Sequence, residues 1–350
     1  MRRFWSILLV GLVGCYQAVD VDDEGAEGRA IVAPPEVGSG PDVTVAGTPE
    51  TIVAPSAACP SSGWCKMGEL PVDGLKSLWG SGSNDVWVGG REGLFHWDGQ
   101  SWSNRSADLA SADRYRLIVE DLWGSGPDDV WAGVWPSEVY HWDGSSWALA
   151  YVGNDSSVVN DRRLWGAGRG DVWILNDKGA THWNGSAFEY TRLLEDEEEM
   201  SAVWGSSSTD VWFLGVYGTV AHWDGSAWAR MQERTRPPNS AGGFLALGGT
   251  GPQDVWAFTD SGALHWDGAT WLDSPIASDY EEVWAACQVS NHLWAVGDGS
   301  PRDWDGSVWT AKPIVDDPPR SLRACWGNTP TEVWAVGERT VWRWSAGETD

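Results

Sequence analysis

The sequence predicts an all-β fold, and three features lead to that class. A tryptophan-rich unit recurs seven times from Leu78 onward. Turn residues such as Asp-Gly and Gly-Ser divide each unit into short apolar segments, which is typical of short β-strands. The chain contains 43 glycines and is 42% hydrophobic, so it has the composition of a folded protein with many turns.

The repeated unit specifies the architecture more closely. It reads LWGSGSNDVWVGGREGLFHWDGQSW from Leu78 and LWGSGPDDVWAGVWPSEVYHWDGSSW from Leu122. Its second tryptophan lies at positions 87, 131, 173, 212, 256, 294 and 334, in steps of 38 to 44 residues. A repeat of about 40 residues that holds four short strands is one propeller blade. Residues 59–350 are therefore predicted to form a single seven-bladed β-propeller of four-stranded antiparallel blades.

Each predicted strand is bounded by residues of the unit. Strand a ends at Trp-Gly, strand b begins at Asp-Val-Trp, strand c ends at His-Trp, and strand d carries the last tryptophan. The Asp-Gly between strands c and d predicts a hairpin with two turn residues, both at positive φ. Strands such as Val86-Trp87-Val88 are apolar on both faces, so stacked blades must cover them with tryptophans between the blades.

The seventh copy ends at Trp344-Ser345-Ala346-Gly347, before any strand d. The missing strand has a counterpart at the front, because Ser61-Ser62-Gly63-Trp64 matches Gly144-Ser145-Ser146-Trp147. We expect this N-terminal strand to complete the last blade and close the ring, which removes the exposed edges of an open array.

The first residues predict export. Arg2 and Arg3 precede an apolar run that ends at Gly14; it is too short for the roughly 20 residues of a spanning helix, and a short apolar run after basic residues is typical of a secretion signal. Leu12-Val13-Gly14-Cys15 resembles the lipobox of bacterial lipoproteins. That resemblance implies a signal peptide over 1–14 and a lipidated Cys15. Residues 15–58 are then an acidic flexible tether, and the protein is anchored in the bacterial cell envelope, at the outer membrane or cell surface, by lipid only.

Charge and motifs exclude several function classes. With 50 acidic and 23 basic residues, the net charge of −27 argues against a nucleic-acid partner. The sequence has no G-x-S-x-G, no H-E-x-x-H and no phosphate loop. We therefore expect a monomer without catalytic residues, cofactor or metal, and we keep a glycan-active hydrolase or lyase as an alternative.

The histidines are predicted to be structural. Five of the six stand just before the strand-c tryptophan, 11 or 12 residues after the aspartate that starts strand b. In the sixth copy the two residue types are exchanged, and in the seventh they become glutamate and arginine. Because opposite charge types are kept while identities change, we expect one acid–base pair per blade, directly opposite across the hairpin, rather than a metal site. The pairs are Asp85 and His96, Asp129 and His141, Asp171 and His182, Asp210 and His222, Asp254 and His265, His292 and Asp303, and Glu332 and Arg343.

The cysteines predict disulfides. If Cys15 is lipidated, four others remain, an even number in an oxidising compartment, and three pairings are possible. Cys287 and Cys325 lie at or near strand a of consecutive blades, while Cys59 and Cys65 flank the start of the closing strand. We favour Cys59 with Cys65 and Cys287 with Cys325.

A binding surface is expected on one face of the disc. The a–b and c–d turns share one face, here called the turn face, and are nearly uniform. The b–c and d–a loops share the opposite loop face and vary between copies, so the loop face is the candidate partner surface. The candidate ligand residues are Tyr115, Trp135, Tyr151, Tyr217, Arg234 and Tyr280.

Over residues 61–347 the repeats resemble the WGSGxxDVWAVG…HWDGxxW propeller units of secreted and lipid-anchored bacterial proteins, many of them myxobacterial. They are less similar to bacterial propeller lectins, which bind sugars between blades; here Phe188 replaces the last tryptophan of the third copy. These resemblances imply two functions: a non-catalytic scaffold that binds a protein through its loop face, or a lectin with inter-blade sugar sites. The partner at the cell surface is a protein or a glycan accordingly.

Overall fold

The computed structural model confirms the predicted seven-bladed β-propeller. It describes residues 59–109, 117–153, 163–176, 178–194, 199–215, 218–231, 244–259, 262–274, 276, 282–315 and 317–347, together with Arg29–Ala30 and Thr51–Val53. These residues form seven four-stranded antiparallel blades, two of which carry a fifth strand. The innermost strands of successive blades contact one another, and the last contacts the first, so the ring is closed.

The strands follow the repeat in every blade. From blade 1 to blade 7, strand a spans Leu75–Gly82, Val119–Gly126, Leu164–Gly168, Met200–Ser207, Phe244–Gly251, Glu282–Val289 and Ala324–Thr329. Strand b spans Asp85–Gly90, Asp129–Val134, Asp171–Asn176, Asp210–Gly215, Asp254–Thr259, His292–Asp298 and Glu332–Gly337. Strand c spans Gly93–Trp97, Glu138–Trp142, Gly179–Trp183, Val220–Trp223, Gly262–Trp266, Arg302–Trp304 and Thr340–Ser345. Strand d spans Ser101–Asn104, Trp147–Val152, Phe188–Arg192, Trp228–Met231, Trp271–Asp273, Trp309–Ala311 and, in blade 7, Gly63–Glu69. A short 3-10 helix, Ser106–Asp108, follows strand d of blade 1.

The predicted closure is confirmed as well. Gly63–Glu69 pairs antiparallel with Thr340–Ser345, and Trp64 lies opposite Trp344. The outermost strand of the last blade therefore comes from the start of the propeller, and the two ends of the domain are joined by backbone hydrogen bonds.

Two short segments of the predicted tether pair with blade edges. Arg29–Ala30 adds a fifth strand beside Trp147–Val152 in blade 2, and Thr51–Val53 adds one beside Ser101–Asn104 in blade 1. An outermost strand presents unpaired N–H and C=O groups that another extended segment can satisfy. These two blades meet that need from within the chain.

An aromatic cluster fills each interface between blades. The strand-b tryptophan of one blade packs against the strand-c and strand-d aromatic residues of the next; Trp87, for example, lies 5.3 Å from Trp142 and 5.2 Å from Trp147 between ring centroids. The central residues of these clusters are Trp87, Trp131, Trp173, Trp212, Trp256, Trp294 and Trp334. All seven are at most 3% exposed. Since each buried ring hides roughly 150–250 Å², these clusters contribute a large buried area to the core, beside the aliphatic residues of strands a to c.

The Trp-Gly pair of strand a explains close packing around the axis. A Cβ on Gly124 would lie 2.7 Å from the ring of Trp79 in the preceding blade, so the ring occupies the space that any larger residue needs. Blade 6 departs from the pattern. The repeat aligns Trp284 with Trp79, but in the structure Cys287 lies opposite the strand-b tryptophan Trp294. The tryptophan is therefore displaced along the strand toward the loop face.

Candidate functional site

All seven predicted acid–base pairs are brought together. In five blades the histidine Nε2 lies 2.6 or 2.7 Å from an aspartate Oδ1. In blade 6 the reversed pair places Nδ1 of His292 2.7 Å from Asp303. In blade 7, Nη1 of Arg343 lies 4.0 Å from Glu332.

The expected direct opposition of these pairs is wrong. His96 lies opposite Trp87, so Asp85 is its diagonal neighbour on the same face of the sheet. Diagonal neighbours are about 7–8 Å apart at Cα and long side chains can span that distance. The imidazole consequently lies over the tryptophan, with ring centroids 4.3 Å apart in blade 1 and 4.0 Å apart for Trp173 and His182 in blade 3.

Four of these carboxylates, Asp85, Asp129, Asp210 and Asp254, also accept a hydrogen bond from a hydroxyl of strand a in their own blade. Asp254 accepts a further one from Trp304 Nε1 of the next blade at 3.1 Å. Asp210 accepts hydrogen bonds from Trp212 Nε1 at 3.0 Å and from Ser206 at 2.5 Å, besides its contact with His222. Burial alone would raise the pKa of this carboxyl, but the bonds from His222 and Ser206 outweigh burial and hold the pKa below its usual value. The carboxyls of Asp85, Asp129 and Asp254 have lowered pKa values for the same reasons. Such carboxylates stabilise the blade and have little capacity for a ligand.

Among the residues that the structure describes, no group of three or more His, Cys, Asp or Glu side chains is arranged to hold a metal ion.

The turn face consists of self-satisfied turns. Asp143 Oδ1 accepts the backbone N–H groups of Ser145 and Ser146, each at 2.8 Å. These bonds, with that from the Ser145 hydroxyl, lower the pKa of Asp143 to about 2. Only Gly144 of this turn has a positive φ, of 94°, so glycine occupies the first of the two turn positions and the aspartate precedes the turn. The prediction that Asp-Gly fills both turn positions is therefore wrong: the aspartate side chain caps the turn instead.

The predicted loop-face residues Trp135 and Tyr151 differ in where the structure places them. Trp135 lies in the b–c loop of blade 2, half-buried, with its backbone N–H bonded to Ile118 O at 2.9 Å. Tyr151 was expected to face a ligand, and this is wrong. It is 2% exposed, and its ring lies 5.0 Å from Phe188 because its position on strand d points it into the interface of blades 2 and 3. Four other predicted ligand residues and the predicted lipidation site lie outside the described residues: Tyr115, Tyr217, Arg234, Tyr280 and Cys15.

Both favoured disulfides are present. Cys59 is bonded to Cys65, close to the start of the closing strand, and Cys287 is bonded to Cys325. Cys287 lies on strand a of blade 6 and Cys325 on strand a of blade 7. The second bond therefore connects neighbouring blades close to the axis.

A cavity on the loop face was not predicted from the sequence. It has a volume of about 580 Å³ and is formed by the b–c and d–a loops around blade 7. Its lining residues are Asp73, Gly74, Asp298, Arg320, Ser321, Arg323, Glu338 and Arg339. We call it the arginine cavity. Two of its arginines come from a single d–a loop of a strongly acidic chain, and that local cluster was the signal available in the sequence.

Contacts with neighbouring residues hold the wall of the arginine cavity in place. The Arg323 guanidinium lies 4.0 Å from the ring centroid of Trp284, whose Nε1 donates to Asp298 Oδ1 at 3.0 Å. Arg339 Nε lies 3.4 Å from Asp73 Oδ1, with both side chains largely exposed. The backbone carbonyl of Glu338 accepts a hydrogen bond from Leu75 N at 2.9 Å, which fixes the b–c turn to strand a of blade 1.

Comparisons with known proteins identify the fold and not a family. No protein-family model and no curated protein matches the sequence. Among solved structures, YCF48 bound to a D1 peptide is similar, with 16% identity and a TM-score of 0.63 over 85% of this chain and 99% of that one. Virginiamycin B lyase from Staphylococcus aureus is 11% identical, with a TM-score of 0.64 over 81% of this chain and 98% of that one. The extracellular domain of a hybrid two-component system from B. thetaiotaomicron is also 11% identical, with a TM-score of 0.62 over 81% of this chain and 42% of that one.

Within the described part of the chain, no helix is long and apolar enough to cross a bilayer.

Proposed function

We propose that this protein is a non-catalytic binding scaffold of the bacterial cell envelope that engages a protein partner through its loop face. The observation that carries the proposal is the contrast between the two faces. The turn face is built of near-identical turns whose polar groups bond to one another, whereas the loop face carries varied loops and the arginine cavity. Binding residues are disproportionately found on loops that a rigid scaffold positions.

The aromatic clusters favour a protein partner over a sugar. A lectin with inter-blade sites needs an accessible ring at each interface, yet the strand-b tryptophans are 0 to 3% exposed. These strand-b rings pack against other rings and leave no face for a pyranose to stack on, so a sugar would meet only the half-buried strand-c and strand-d rings of blades 3 to 7. YCF48, which shares the architecture, has been solved with a bound peptide, so a propeller of this shape is compatible with peptide binding.

The location in the envelope rests on the N-terminus. Arg2, Arg3, the apolar run and Leu12-Val13-Gly14-Cys15 support a lipid anchor on Cys15. The similarity to an extracellular domain is consistent with that location. Mass spectrometry of the mature N-terminus tests the anchor, and an unmodified first residue would contradict it.

Photo-crosslinking in the native envelope tests the scaffold. Val315 lies in a d–a loop on the loop face and is 82% exposed, while Val308 lies in a c–d turn on the turn face and is 54% exposed. A benzophenone amino acid placed at either position reports which face has a neighbour. We expect discrete protein adducts from position 315 and none from position 308.

Two results would contradict the proposal. Equal adduct patterns at both positions would show that the faces are not distinguished. No protein adduct at either position, together with specific binding of the purified full-length protein on a glycan array, would favour the lectin.

A further inference from the structure

The arginine cavity gathers three arginines of a strongly acidic protein, with three carboxylates in the same lining. The chain carries a net charge of −27 and has only 23 basic residues. Three of them, Arg320, Arg323 and Arg339, line this one cavity. Each guanidinium can donate up to five hydrogen bonds in a planar array that matches a carboxylate. The cavity therefore offers the donors that a carboxylate needs.

Contacts with Trp284 order the Arg323 side chain before any ligand binds. Its guanidinium stacks on Trp284 at 4.0 Å, and Trp284 is itself fixed by its hydrogen bond to Asp298. Stacking uses the flat face of the guanidinium and leaves its N–H edge for hydrogen bonds. Because the side chain is already ordered, less conformational entropy is lost when it binds.

Ser321 supplies an unused polar group in the same wall. The residue is 9% exposed, and its hydroxyl makes no hydrogen bond in the structure. A buried hydroxyl without a partner is costly unless something satisfies it. Its neighbour Arg320 is exposed and lies on the same loop.

The charges of the lining limit what the ligand can be. Asp73, Asp298 and Glu338 line the cavity beside the arginines. A sulfated or uronic polysaccharide would bring many negative charges against these carboxylates. A peptide instead offers a single carboxylate flanked by backbone N–H groups. The carboxylate can accept hydrogen bonds from the arginines, and the N–H groups can donate to the carboxylates of the lining.

We propose that the arginine cavity binds an Asp or Glu side chain of the protein partner, with Arg320 and Arg323 as its principal donors. This inference rests on the proposed function and names the chemical group that the loop face recognises.

Ligand-observed NMR with the full-length protein in detergent micelles tests the inference. The probe is a capped Gly-Ser peptide with one central glutamate, and its match is the same peptide with glutamine. We expect the glutamate peptide to bind about tenfold more tightly, since charge-assisted hydrogen bonds are roughly twice as strong as neutral ones. R320Q should weaken the glutamate peptide about tenfold, and R323K should weaken it by a similar factor although it retains the charge.

The control is R169Q. Arg169 is an exposed arginine on the turn face, paired with Asp128, and its loss should leave peptide binding unchanged. Arg320 is also exposed, so R320Q should fold normally, as circular dichroism and the unfolding midpoint will show.

Three outcomes would overturn the inference. They are equal binding of the two peptides, unchanged binding in R320Q, and tighter binding of a heparin oligosaccharide through the same arginines. Crosslinking separates this failure from failure of the scaffold. If adducts at position 315 persist undiminished in R320Q, the loop face still binds a protein but not through this cavity. If position 315 yields no adduct in the parent protein, the proposed function itself fails.

Discussion

An acidic residue starts strand b in six of the seven blades, and in blade 2 it is fully buried. Asp129 has a fully buried side chain that contacts His141 at 2.7 Å and accepts from Trp131 Nε1 at 3.2 Å. The Ser125 hydroxyl donates to its other oxygen. One aspartate thus links strand a, strand b and strand c. This explains why an acidic residue starts strand b in six of the seven copies and why blade 6 exchanges it with its partner rather than losing it.

Replacing this carboxylate should destabilise the protein in a pH-dependent way. At pH 7 we expect D129N to lower the free energy of unfolding by about 3 kcal/mol, because the amide has no charge and one acceptor oxygen in place of two, so a buried donor such as the Ser125 hydroxyl faces an NH2 group. The lowered pKa values of Asp85, Asp129, Asp210 and Asp254 mean that the folded state favours the ionised carboxyls. Their contribution is complete above the unfolded pKa near 4 and is lost as the pH falls through the lower, folded-state values.

Guanidinium denaturation between pH 7 and pH 3 measures both effects. The unfolding midpoint of the parent protein should hold steady down to about pH 5 and then fall, and the deficit of D129N should shrink in the same range. The matched control is D128N, because Asp128 is exposed and its pair with Arg169 is on the surface; it should change stability by less than about 0.5 kcal/mol. A deficit in D129N that stays constant to pH 3 would refute this account.

At the scale of the element, the closing strand is the one whose partners are most distant in sequence. Trp64 packs 6.0 Å from Trp294 and 5.8 Å from Trp344, and its Nε1 donates to Lys312 O at 2.7 Å. The strand thus contacts both the last blade, which it completes, and the blade before it. These contacts replace the covalent continuity that the other outermost strands have with their own blades.

Trp64→Ala should therefore weaken the closure of the ring. We expect a loss of about 3 kcal/mol in the free energy of unfolding, at the lower end for a large aromatic residue because Trp64 is half-buried. Leu272→Ala on strand d of blade 5 is the control, since that side chain is 51% exposed and should contribute less than about 0.5 kcal/mol. Equal losses in the two variants would show that the closing strand is not energetically important.

The whole molecule is a ring in which a disulfide bond crosslinks one pair of neighbouring blades. Blades 5 and 6 have no tryptophan opposite the strand-b tryptophan and carry Gly248 and Cys287 at that position. Cys287 bonds to Cys325 of blade 7, so the axial contact is replaced by a disulfide in this sector. The arginine cavity lies on the loop face of the same sector, and the disulfide restrains the two blades that carry most of its lining.

The two disulfides should differ in their effect on stability. The Cys287–Cys325 pair closes a loop with a sequence separation of 38, and Cys59–Cys65 one with a separation of 6. On the chain-entropy account, these bonds contribute about 4 and about 2 kcal/mol respectively. Denaturation of the C287S/C325S and C59S/C65S double variants compares them. A larger loss from the shorter loop would contradict the entropic explanation.

Local pattern explains why much of this structure was predictable. The Asp-Val-Trp and His-Trp-Asp-Gly segments set strand positions through turn chemistry and hydrophobicity, which act over a few residues. Seven copies then set the number of blades. The closing strand was predictable because the seventh copy ends at Trp344 and the match around Trp64 completes it. The disulfides followed from the same alignment.

Other features depend on register and on contacts between blades. The sequence spacing of Asp85 and His96 predicted their contact, but the strand register that makes them diagonal neighbours is visible only in three dimensions. Tyr151 was assigned to the loop face from its place after a strand, yet the alternation of side chains along strand d directs it into a blade interface. A shift of one residue reverses the face that a side chain occupies.

By itself, the sequence determined the all-β class, the seven blades, the closing strand and the pairing of opposite charges within each blade, because all of these repeat with the unit. Only the tertiary structure decided that Arg320, Arg323 and Arg339 share a cavity with Asp73 and Asp298. Those residues come from the end of a strand of blade 6 and from the loops before, within and after blade 7, and they belong to no repeated pattern. Docking of the closing strand on blade 7 brings Asp73 beside Arg339, and that juxtaposition completes the site.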